Sequence, residues 1–171
     1  MSARTSQRPS KAARALDIVN MIHEADGQSA EKQQAIKDQW RRLESWFRSL
    51  PEDLGSVYVF RDGLTMTSPE DIAAHVRQYA EPDSLEMIIR NMMDRGAKVT
   101  NTEDEFLHGL QGYLFDLEKV AGRSDDSENK KVMLKALDVG HTRVMAARDR
   151  FMAERINITL KPGERGFLFV G

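Results

Sequence analysis

Residues 12–27 read AARALDIVNMIHEADG, and two readings of this stretch lead to different molecules. As a helix, Ala12, Leu16, Val19 and either Ile22 or His23 line one face and Gly27 is the C-terminal cap. As a strand, residues 16–22 are a buried run, and His23-Glu24-Ala25-Asp26-Gly27 is the polar turn at its carboxyl end. Periodicity alone tilts slightly to the helix, because Asp17 and Asn20 fit awkwardly inside a sheet. The strand reading therefore requires hydrogen-bond partners for them, an unpaired buried polar group costing roughly 1–3 kcal/mol.

Downstream, the pattern alternates between helix and strand. Ile36, Trp40, Leu43, Phe47 and Leu50 fall at spacings of 4, 3, 4 and 3, one apolar stripe on a surface helix that begins near Ser29 and stops at Pro51. Ser56-Val57-Tyr58-Val59-Phe60 is a short β-branched and aromatic run closed by Arg61-Asp62-Gly63, a buried strand and its turn. Ser68-Pro69-Glu70-Asp71 supplies an N-cap, a proline at the first helical position and two acids in the first turn. A second helix carries Leu85, Ile88, Ile89 and Met92 and ends at Gly96, and Ala97-Lys98-Val99-Thr100 is a weak strand. Thr102-Glu103-Asp104-Glu105 has capping-box spacing and opens a helix expected to turn Phe106, Leu110, Leu114, Leu117 and Val120 inward. After a polar loop at residues 122–129, a long helix runs from about Glu128 to Ile158, and Phe167-Leu168-Phe169-Val170 is the most apolar strand of the chain. This order predicts an α/β fold: a small, mostly parallel sheet of three or four short strands with crossover helices, helix-rich overall.

In open parallel sheets, ligands bind beyond the carboxyl ends of the strands. If the first element is a strand, those ends carry His23-Glu24-Ala25-Asp26, Arg61-Asp62-Gly63, Asn101-Thr102-Glu103-Asp104 and Gly171. Carboxylates and an imidazole on one rim suit a divalent cation and activation of a bound water. The plainer reading is that Glu103 and Asp104 are what any helix N-terminus prefers and that Asp62-Gly63 is an ordinary turn. The long helix carries a second clue. Leu134, Leu137, His141, Met145, Arg148, Met152 and Ile156 share a stripe, so Arg148 interrupts an apolar face. It is either buried and paired with the rim acids or placed at the stripe edge with its head in water. His141 reads as a core or boundary histidine, and the nine methionines as core filling.

The whole-chain numbers bound the rest. The chain has 171 residues, 40% hydrophobic and 30% charged, one domain's worth, with residues 1–11 a flexible tail and 12–171 a single α/β domain. The absence of cysteine excludes a disulfide framework, a thiolate zinc site and a cysteine nucleophile. A net charge of −2 argues against a surface built for nucleic acid. No apolar run approaches the ~20 residues of a membrane span and the N-terminus lacks a signal-peptide core, so a cytoplasmic address is expected. A Gly-rich phosphate loop, a nucleophile elbow and an HExxH motif are all missing.

IVNMIHEADG, VYVFRDGL, RGAKVTNTEDEFLH and ARDRFMAERINITLKPGERGFLFVG together resemble uncharacterised bacterial proteins related to the TraB and Tiki type α/β hydrolases. The similarity spans nearly the whole chain from Leu16. The resemblance implies a sheet whose strand ends hold an acidic and histidine site, with metal-dependent hydrolysis in distant relatives. Two departures stand out: the first-strand motif is shorter than the HTEADMG-like group pattern, and the histidine expected after the final glycine is missing. The expectation is therefore a hydrolase-like protein cut short at its C-terminus. Its metal (Mn, Co or Zn) would be held by His23 and Asp26, with Glu24 or Glu103 as general base and Arg148 stabilising negative charge. The competing expectation is a non-catalytic interaction or scaffold protein that keeps the fold and binds a protein partner. Ending on a strand apolar on both faces also predicts an open edge or apolar patch beside residues 167–170, covered by a homo-oligomer or a partner chain.

Overall fold

The computed structural model describes residues 14–20, 29–82 and 84–170. Nine elements follow in order: β1 (Ala15–Asn20), α1 (Ala30–Arg48), β2 (Val57–Arg61), α2 (Pro69–Tyr79), α3 (Leu85–Asp94), β3 (Lys98–Asn101), α4 (Glu105–Gly122), α5 (Ser127–Thr159) and β4 (Arg165–Val170). The four strands form one parallel sheet in the order β1-β4-β2-β3.

The first element is thus a strand from Ala15, and the slight periodicity preference for a helix is corrected. Pairing with β4 overrides local phase, matching Leu16 to Gly166 and Ile18 to Leu168. The awkward Asp17 finds its partner across the ladder, accepting a hydrogen bond of 2.8 Å from Arg165 Nε. The run is less buried than expected, since Leu16 and Ile18 are exposed on the edge strand. The expected flexible tail at residues 1–11 and the turn residues His23, Glu24 and Asp26 lie outside the described residues.

The period of two along each strand sorts the core into two layers. Val57 and Val59 of β2 and Phe167 and Phe169 of β4 face α1, α2 and α3, joining Phe47, Ile72, Val76, Ile88, Ile89 and Met92 in the main core. Phe60 and Leu168 face the other way, onto Ile156 of α5 and Leu160 beyond it. Helices α1–α3 therefore cover one face and the C-terminal part of α5 the other. β4 is interior, flanked by β1 and β2, so the expected open edge beside residues 167–170 is not found there. An apolar groove of about 430 Å³ does run beside it, lined by Leu16, Ile18, Met152, Ile156, Leu168 and Val170.

Ser68 caps α2 as its sequence signal indicates, its hydroxyl accepting from Asp71 N–H, and Ser29 and Ser84 cap α1 and α3 in the same way, accepting from Lys32 and Met87 backbone N–H groups. At α4 the cap is Asp104 rather than Thr102, because Thr102 is drawn into the sheet end and donates its hydroxyl to Arg61 O. The inward stripe of α4 also shifts. Leu107, Leu110, Leu114, Leu117 and Ala121 turn toward α5, whereas Phe106 is 74% and Val120 62% exposed. Both positions lie one residue from the true seam, and helix phase at 100° per residue carries them off it.

Candidate functional site

β2 leads into α2 on one face of the sheet and β3 into α4 on the other, so their carboxyl ends diverge. That is the topological switch at which open α/β sheets form a crevice. Here the two strand ends are tied together. Thr102 and Glu103 both donate backbone N–H bonds of 3.3 Å to Leu64 O, and Asp62 N–H donates to Phe169 O at 2.9 Å. Gly63, at φ +81°, takes a left-handed turn conformation that disfavours a Cβ, and its N–H points at Glu103 Oε1, 3.4 Å away.

Arg148 enters this crevice from α5. Its Nε donates to Glu103 Oε2 at 2.9 Å and one Nη donates to Glu103 Oε1, a bidentate pair. The same Nη donates to Asp62 Oδ1 at 2.9 Å, and the other donates to Gln111 Oε1 of α4. Side-chain exposure rises in layers, 0% for Glu103, 8% for Arg148 and 20% for Asp62. Burial pushes the Glu103 carboxyl up, but the hydrogen bonds and charge of Arg148, contact with Asp62 and the Gly63 N–H together hold it below its ordinary value. The hydrogen bonds of Glu103 outweigh burial in raising Arg148, so the guanidinium stays charged.

Of the two positions open for Arg148, the structure takes the buried one, paired with the rim acids. Of the five site residues expected from sequence, Glu103 and Arg148 are brought together; Glu24, His23 and Asp26 follow β1 and fall outside the described residues. Asp62 was placed on the rim but given no role, and Gln111 was missed. Asp62 was legible as the acid at a strand end, and Gln111 as the polar residue beside the apolar seam of α4. A second polar cluster was not anticipated: Arg61 at the end of β2 pairs with Glu86 of α3 at 2.6 Å and lies 3.3 Å from His75 Nε2 of α2. Tyr79, Glu81 and Ser84 complete an open pocket of about 410 Å³ there.

The implied metal can be tested against these groups. Among the described residues no set of three or more His, Asp or Glu side chains is placed to hold a metal ion. Between Asp62 and Glu103 the cation is already a guanidinium, so these two carboxylates do not fit a divalent ion. Nor is any helix among the described residues long and apolar enough to cross a membrane. Comparison with protein-family models, with curated proteins and with solved structures finds no match to this chain.

Proposed function

We propose that the chain is a hydrolase-like α/β protein whose reacting groups lie on the carboxyl rim of the sheet. The observation that carries this reading is the convergence of Asp62, Glu103 and Arg148, from three separate elements, at the β2/β3 switch point. A carboxylate held as an anion by a guanidinium is a weak base, so Glu103 serves as the buried support that positions Arg148, not as the base. Asp62, the most solvent-facing member, is the rim's carboxylate toward substrate, with Glu24 in the segment after β1 as the second candidate. Arg148 supplies fixed positive charge beneath them. A divalent ion, if one is used, depends on His23 and Asp26.

A second reading, a non-catalytic interaction protein that keeps the fold, is favoured by one observation: each nitrogen of Arg148 that could hold a substrate anion already donates to a side chain of its own chain.

Two measurements separate these readings. Thermal unfolding with Mn²⁺, Co²⁺ or Zn²⁺ reports metal binding, since a ligand selective for the folded state raises the midpoint. A panel of p-nitrophenyl esters and phosphate esters reports hydrolysis. Turnover that disappears in Asp62→Asn or Glu24→Gln, with folding intact, supports the hydrolase reading. No turnover and no thermal shift with any ion would leave the interaction reading standing.

A further inference from the structure

Helices α4 and α5 form an antiparallel hairpin, and only the last part of α5 reaches the sheet. At 1.5 Å per residue the 33-residue α5 is about 50 Å long, so its first half has α4 as its neighbour. The hairpin is apolar on more than its internal seam. Beside the α5-facing residues of α4 runs a second stripe, Phe106, Leu110, Tyr113, Leu117 and Val120, at spacings of 4, 3, 4 and 3. Leu110 and Leu117 serve both stripes, while Tyr113 is 60% exposed. The matching stripe of α5 is Met133, Ala136, Gly140, Arg143 and Ala147, at spacings of 3, 4, 3 and 4, with exposed Val132 and Val139 at its margin. Helical phase puts both stripes on the same side of the hairpin, because Leu114 packs against Gly140 and fixes the mutual rotation of the two helices. Two overlapping heptad seams on one helix are what a helix with two helical neighbours requires. Among the described residues α4 has one.

We propose that this side of the hairpin is a homodimer interface, two copies closing into an antiparallel four-helix bundle around a two-fold axis along the hairpin. The surface is complementary to itself in size. One helix offers large residues and the other small ones, and the axis sets α4 of one copy on α5 of the other at equal height. Phe106 then meets Ala147, Tyr113 meets Gly140, Leu117 meets Ala136 and Val120 meets Met133. Arg143, the one charge on the stripe, lies opposite Leu110 and within reach of the Tyr113 ring, where a guanidinium is stabilised by the π face. The area is adequate. An 18-residue helix is about 27 Å long and two helices are about 20 Å wide, which with side-chain relief approaches the ~800 Å² per partner of a standard interface.

Light scattering coupled to size exclusion tests the proposal on the full chain. Expected is a particle of twice the 19.4 kDa chain mass at micromolar concentration, reduced to a monomer with an unchanged circular-dichroism spectrum by Tyr113→Glu or Val120→Glu. Ile18→Glu, in the groove beside β4, should leave the dimer intact. A wild-type monomer at 100 µM, a dimer that survives both hairpin substitutions, or a dimer broken by Ile18→Glu instead would overturn it. So would a monomer that cosediments with phosphatidylglycerol vesicles, which would put a lipid surface on this side. If the glutamates unfold the chain, the absence of native cysteine permits a nitroxide at Ser124→Cys in the loop at the hairpin tip. Helix spacings of 8–10 Å predict spin separations on the order of 20 Å, and separations beyond about 40 Å, or no coupling, overturn the arrangement.

Discussion

Arg148 holds Glu103, 45 positions earlier in the chain, through both carboxylate oxygens, at a point where neither side chain has significant access to water. The pair joins α5 to the end of β3, and Asp62 adds the end of β2. It is therefore a tie between the sheet and the helical hairpin as well as the floor of the rim.

Breaking one side of this tie should be severe and breaking both should be mild. Glu103→Gln or Arg148→Met leaves a buried partner uncompensated, at a cost of about 3–5 kcal/mol. The double variant Glu103→Gln/Arg148→Met removes both charges and should lose less than the sum of the singles. Urea unfolding of the four proteins in a double-mutant cycle measures the coupling. Additive losses would show that the pair contributes nothing as a unit.

The tie also has a pH signature. Because the folded-state Glu103 carboxyl lies below its ordinary value of 4.5, its stabilisation is complete above that value and drains away as the pH falls from there through the folded value. Thermal midpoints between pH 7 and 3 should decline more steeply below about 4.5 in the wild type than in Glu103→Gln. Parallel profiles would assign the acid loss to other carboxylates.

Gly166 occupies a place where a side chain does not fit. A Cβ there would stand 2.9 Å from Phe60 Cε2 and 3.0 Å from Leu16 Cδ1. Leu16 is on the exposed edge and can swing away, but Phe60 is fully buried. Gly166→Ala should cost about 1–3 kcal/mol by overpacking, read as a lower denaturation midpoint with an unchanged m-value. A neutral or stabilising result would mean that β4 moves freely in the sheet.

Arg95, after α3, closes the end of α1. It donates to Phe47 O at 2.8 Å, a carbonyl that also accepts from Leu50 N–H, and to Leu50 O and Pro51 O just past the helix. Arg95→Ala should lose about 1.5–3 kcal/mol, and hydrogen exchange should quicken selectively in the last turn of α1. Uniform quickening would show that the loss is global.

Local chemistry was enough to set much of this molecule. The caps at Ser29, Ser68 and Ser84, the stop at Pro51, and the alternation of Val57, Val59, Phe167 and Phe169 with residues of the opposite face follow from side-chain oxygens, backbone restriction and period, all of which act over a few residues. Glu103 and Arg148 were legible as an acid at a strand end and a cation on an apolar stripe, because a buried arginine demands an acid wherever one is in reach.

What local chemistry could not set was decided by contacts between distant segments. Residues 15–20 satisfy a helical phase as well as a strand, and only the ladder to β4, with Arg165 answering Asp17, makes the extended form the better one. Phe106 and Val120 were taken as core because a helix with two overlapping apolar seams looks the same from either side; which seam faces inward depends on where α5 lies. The placement of β4 between β1 and β2 depends likewise on the crossovers closing over the sheet, since backbone pairing is available to any extended run and the order of strands is a property of the whole fold.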